Sequence, residues 1–113
     1  MDKSTVKALK KAITNSVKDY LEGIESFKGY NIHKVRFVEI EDRFLDFLSN
    51  GQVYSGNVFT IETILGNLDI VYINSHGMKE HNLNVNPTIV IKNLNAKYDP
   101  SIDSFEIIGL DIS

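Results

Sequence analysis

Apolar residues recur every three or four positions through the first quarter of the chain, then gather into short β-branched and aromatic runs. Val6, Leu9, Ile13, Val17, Tyr20 and Ile24 fall on one face at about 100° per residue, which predicts a helix from Thr5 to about Ile24. Asp2 or Ser4 supplies an N-cap, and Gly23, Ser26 and Gly29 bracket the end. The helix runs against its own dipole. Lys3, Lys7, Lys10 and Lys11 come early and Glu22 and Glu25 late, so packing of the apolar stripe has to hold it.

Phe27 to Asn31 reads as a connection and Ile32 to Ile40 as a first strand. Strict alternation there puts Val35 and Phe37 on one face and Lys34, Arg36, Val38 and Ile40 on the other. Glu41 to Ser49 fits a short helix, with Phe44, Leu45 and Leu48 on one face and Asn50-Gly51 closing it. It also fits a strand ending in an Asn50-Gly51 hairpin turn; the acidic Glu41-Asp42 first turn favours the helix. Gln52 to Ser55 reads as a short strand.

The longest β pattern spans Asn57 to Asn74. Val58 to Leu65 and Leu68 to Ile73 flank Gly66-Asn67, and this predicts a hairpin with a two-residue type II′ turn at glycine. Ser75 to Met78 turns the chain, and the polar stretch Lys79 to Asn86 has Leu83 and Val85 as anchors. Pro87 opens a buried strand at Thr88 to Ile91. Asn95 to Asp103 reads as a loop. Ser104 to Ile112 is the last strand, with Phe105, Ile107 and Gly109 facing away from Ile108, Leu110 and Ile112. One long helix followed mainly by strands predicts a single α+β domain over residues 1–113. The helix lies on one face of an antiparallel sheet of about four to six strands, with room for one short extra helix.

Composition removes some chemistry and adds none. The chain has no cysteine, which excludes disulfides and thiolate catalysis. No apolar run approaches membrane-spanning length, and the N-terminus lacks the apolar core of a secretion signal, so a cytoplasmic protein is expected. Ile, Asn and Lys supply 14, 11 and 10 residues. Such a bias follows from an AT-rich coding sequence and points to a low-GC bacterium or one of its phages, hence to host cytoplasm or a virion.

The reactive candidates are weak. His76 and His81 are five apart, not the four that place a helical zinc pair on one face, and His33 is distant. No metal site or cofactor is expected. Ser75-His76 are neighbours in sequence, which says nothing about triad geometry, and no Gly-x-Ser-x-Gly or phosphate-binding glycine loop is present. Pairs such as Asp99 with Asp103, or Glu39 with Glu41, are explained by solvation.

Two charged patches remain. Lys3, Lys7, Lys10, Lys11 and Lys18 share one arc beside the apolar stripe. Their stems cover the stripe's edge, and together they also form an anion-binding ridge. No arginine accompanies them and no aromatic stacking platform is evident, and the net charge of −3 gives little general attraction to nucleic acid. The second patch, Glu39, Glu41, Asp42 and Asp46 beside Phe44 and Phe47, joins aromatic anchors to an acidic rim, as protein interfaces do. Glu41, Asp42, Phe44, Asp46 and Phe47 are therefore the expected partner contacts. The expected function is a non-enzymatic protein-binding module: an inhibitor, an adaptor or a self-assembling structural subunit. A nucleic-acid-associated protein using the lysine ridge is the alternative, and a small enzyme comes third.

Overall fold

The structure is a computed structural model that describes residues 3–41 and 58–113. The short helix or strand expected from Glu41 to Ser49 lies outside these residues, Glu41 excepted. So do the strand Gln52 to Ser55 and the contacts Asp42, Phe44, Asp46 and Phe47.

One helix, α1 (Lys3–Gly23), precedes five strands: β1 (Asn31–Ile40), β2 (Val58–Ile73), β3 (Lys79–His81), β4 (Thr88–Asp99) and β5 (Ser104–Ile112). All pairings are antiparallel, in the order β1-β2-β4-β5, with β3 added to β2. The sheet curls into a half-barrel, and α1 crosses its inner face between the outer strands β1 and β5. This is the α+β architecture expected from the sequence.

Thr5, Leu9, Ile13, Val17 and Leu21 form the buried row of α1. Leu21 takes the place expected for Tyr20, which is exposed, because the strict four-residue row faces the two strands. The first turn has no acid and the last no base, so the dipole is uncompensated by charge and burial holds the helix. Beyond it, Lys28 and Gly29 both have positive φ. Phe27 and Tyr30 exchange backbone hydrogen bonds of 2.9 Å across them. That is a two-residue turn of the kind that fits strand twist, and it delivers the chain into β1.

The expected hairpin at Gly66-Asn67 is absent. Val58 to Ile73 is one strand of 16 residues, and Gly66 sits inside it opposite Ile40 on one side and Ile89 on the other. Its φ is not positive, so a turn is not what requires the glycine. A Cβ there would run into the backbone carbonyl oxygen of Glu39. Close approach of β1 is the reason only glycine fits.

The strands do not alternate strictly either. In β1 the buried residues are Ile32, Val35, Val38 and Ile40, and register shifts fall between Ile32 and Lys34 and between Val35 and Phe37. Each bulge inserts a residue, so Phe37 leaves the face expected for it with Val35 and is exposed, while Val38 turns inward. In β2 and β4 the buried positions step from Ile61 to Ile64 and from Ile91 to Leu94. The opposing residue Asn93 has φ 54°, and its Nδ2 donates to Asp111 Oδ2 at 3.1 Å. A second shift in the β4–β5 pairing skips Ile108, which is exposed, so Phe105, Ile107, Leu110 and Ile112 all reach the core despite their mixed parity. These breaks bend the sheet around the helix. Asn93→Val is expected to lower stability by about 1–2 kcal/mol, the cost of a left-handed backbone for a branched residue. A urea denaturation midpoint equal to wild type would contradict it.

Two further expectations are corrected. β4 continues through Asn95 to Asp99, because Ala96 and Tyr98 pair with Ile107 and Phe105; only Pro100 to Asp103 forms the loop. Leu83 is 83% exposed and anchors nothing, whereas Val85 packs against the core. Leu83→Asp should therefore leave the denaturation midpoint within about 0.5 kcal/mol of wild type. Near the helix start, Asp103 Oδ1 accepts from Thr5 Oγ1 at 3.1 Å and from Tyr98 Oη at 2.8 Å. This ties α1 to the β4–β5 turn.

Candidate functional site

The row of lysines on α1 adjoins the buried row and faces β1. Lys7, Lys10, Lys11 and Lys18 line a groove of about 390 Å³ between the two elements. Lys7 to Lys18 covers about 16 Å at 1.5 Å per residue. Thr14 and Asn15 continue the helix wall, and Val35 and Val38 supply apolar floor. Lys3 is exposed at the helix start and is not part of the lining.

β1 adds what the lysines lack. Arg36 and Phe37 line the same groove. They are consecutive residues, yet both are exposed, because the bulge between Val35 and Phe37 breaks alternation at this point. Strict alternation would have placed them on opposite faces, which is why the sequence pattern did not assemble the site. Among the described residues the groove thus carries five cationic side chains and a 60% exposed aromatic ring, with no carboxylate in its lining. It takes five of the twelve Lys and Arg residues, leaving seven against fifteen Asp and Glu, a net −8 for the rest of the chain. Five of the molecule's twelve cationic side chains are therefore gathered around one groove, which attracts anionic groups at short range.

Arg36 also meets a second group. His81 Nε2 donates to Asp69 Oδ1 at 2.7 Å, joining β3 to β2. Arg36 Nη1 lies 2.9 Å from Nδ1 and 3.0 Å from Nε2 of the same ring. The imidazole steadies the guanidinium at the groove's edge. His33 and His76 are exposed and stand apart; the backbone N–H of His76 donates to Asn74 Oδ1 in the turn before β3. Among the described residues no cluster of three or more His, Asp or Glu is arranged to hold a metal ion.

On the other side of Phe37 a smaller cleft, about 210 Å³, is lined by Glu39, Asp69, Leu83 and Val85. Glu41 follows β1 directly. It is exposed, and its N–H donates to the Leu65 carbonyl at 3.2 Å. Of the expected acidic contacts it is the one the structure places, a short distance along the chain from Arg36 and Phe37.

No helix among the described residues is long and apolar enough to cross a membrane. No family model, curated protein or solved structure matches the chain.

Proposed function

We propose that the protein is a non-enzymatic protein-binding module that engages its partner through the α1–β1 groove. The observation that carries this is the composition of the groove: a rim of one sign, an apolar floor, and Phe37 standing exposed beside it. Aromatic anchors supply binding energy in such contacts, and a charged rim supplies steering and selectivity. Inhibitors, adaptors and structural subunits all work this way.

A nucleic-acid reading stands second. It is favoured by Arg36 and Phe37 joining the lysines, since single-strand binders combine a cationic track with stacking aromatics. The protein reading leads because the balance of −8 outside the groove repels a polyanion wherever it extends past the short cationic row.

The test compares capture by wild type and by the Lys7→Glu/Lys11→Glu variant. A protein partner retained by wild type and lost by the variant supports the proposal. Salt-dependent retention on single-stranded DNA or RNA, lost in the same variant and with no protein partner, would replace it with the second reading.

A further inference from the structure

We infer that the groove takes an extended, acidic polypeptide segment of the partner, which adds to the outer edge of β1 as a further strand while its carboxylates meet the lysines of α1. This rests on the protein-binding function proposed above and names the form and charge of what is bound.

The sheet order β1-β2-β4-β5 makes β1 an outer strand, and among the described residues it pairs with β2 alone. Its other side presents backbone N–H and C=O groups to a further strand. The groove lies along that side. Val35, Arg36, Phe37 and Val38 are consecutive and all four line it, although Val35 and Val38 are buried while Arg36 and Phe37 are exposed. A groove over one face of the strand would touch only one of these pairs. Touching both, it follows the edge.

The dimensions suit an extended chain. The α1 wall from Lys7 to Lys18 is matched in length by about five strand residues. Along it Lys7, Lys11, the neutral Thr14 and Asn15, and Lys18 follow at three- and four-residue steps, about 4.5–6 Å each. Alternate residues of a strand are about 6.6 Å apart. Acids at every second position therefore meet Lys7 and Lys11 in turn, and the residues between them turn to the face that Phe37 occupies.

Charge selects the occupant. Main-chain bonds hold an added strand whatever its sequence, and its alternate side chains decide which strand is accepted. Five cations attract an acidic strand and turn a basic one away. The β1 strand of a second copy is of the latter kind, with Lys34 and Arg36 against one acid, Glu39. A single-stranded nucleic acid shares the acidic charge but cannot continue the ladder of β1.

Fluorescence anisotropy with labelled peptides tests this on the full chain. The first peptide alternates Glu and Val over about seven residues, and the second has the same composition with its glutamates gathered at one end. Two further versions of the first are N-methylated, one at every Glu and the other at every Val. The alternating peptide is expected to bind one-to-one, and more weakly as salt is raised. Gathering the glutamates should weaken binding by at least about tenfold, as should Lys7→Glu with Lys11→Glu in the protein. Alternate N–H groups of a strand point to opposite edges, so one methylated version should lose at least about tenfold while the other binds as the parent does. A circular dichroism melt establishes that the variant is folded; if it is not, Lys7→Gln with Lys11→Gln takes its place. The inference fails if the alternating peptide shows no saturable binding up to about 1 mM, if both arrangements of glutamate bind alike, or if the two methylated versions do. Should any of these hold while the groove still captures a partner protein, the protein-binding function stands and the added acidic strand is wrong. Retention of oligothymidylate through the groove, with neither peptide nor protein bound there, overturns both.

Discussion

Replacing Ile13 with alanine is expected to cost about 4 kcal/mol, towards the upper end of the range for buried isoleucine and leucine truncations. Ile13 is fully buried at the centre of the α1 row, with Leu9 and Val17 one turn to either side. The substitution removes three carbons, whose transfer alone accounts for about 2.4 kcal/mol at 0.8 kcal/mol each. The remainder comes from the cavity. The helix is wedged between β1 and β5, which are themselves fixed by pairing to β2 and β4, so neither wall collapses into the gap. Domains of this size are stable by about 5–15 kcal/mol, so the loss is a large share of the total. The measurement is the urea midpoint at unchanged slope. A change under about 1 kcal/mol would mean that α1 does not seat on the sheet as described.

Gly66→Ala is the second large expected effect, at about 3 kcal/mol. Small-to-large changes are tolerated where the neighbour is a flexible side chain. Here the neighbour is the Glu39 carbonyl oxygen, part of the β1 backbone, and the Ile89 side chain closes the space at 3.4 Å. Making room means moving β1 off β2 near Ile40 and straining the adjoining bond from Glu41 N to the Leu65 carbonyl. The same displacement reaches the groove, since Arg36 and Phe37 ride on β1. Urea denaturation should show the loss. A variant as stable as wild type would show that β1 and β2 are farther apart at this point than the structure places them.

This glycine also shows what the sequence can and cannot convey. In Gly66-Asn67, the need for positive φ and the need for a missing Cβ leave the same letters. Which one applies depends on whether another strand passes alongside, and that is a tertiary fact. Helix α1 was legible because its four-residue row is local and long. Phe105 and Ile107 were legible as sharing one face, but that Leu110 and Ile112 reach the core with them was not, because a bulge has no signature in the letters around Ile108. The same limit applies to the site. Lys7, Lys10, Lys11 and Lys18 could be gathered on one arc from helical spacing alone. Arg36 and Phe37 could not be added, because their shared exposure depends on the shift in register between Val35 and Phe37.

The hydrogen bond from Thr5 to Asp103 joins residues 98 apart, and α1 itself packs against the last strand of the described chain. This arrangement has a cost during translation. The helix leaves the ribosome about 100 residues ahead of its β5 partner, a delay of about 5–20 s at ordinary elongation rates. Throughout that interval Leu9, Ile13, Val17 and Leu21 have no β5 to cover them. The nascent chain therefore carries the apolar row of α1 uncovered on its β5 side until synthesis is nearly complete. Its final collapse has to wait for contacts between the two ends, which places this protein among the slower folders of its size.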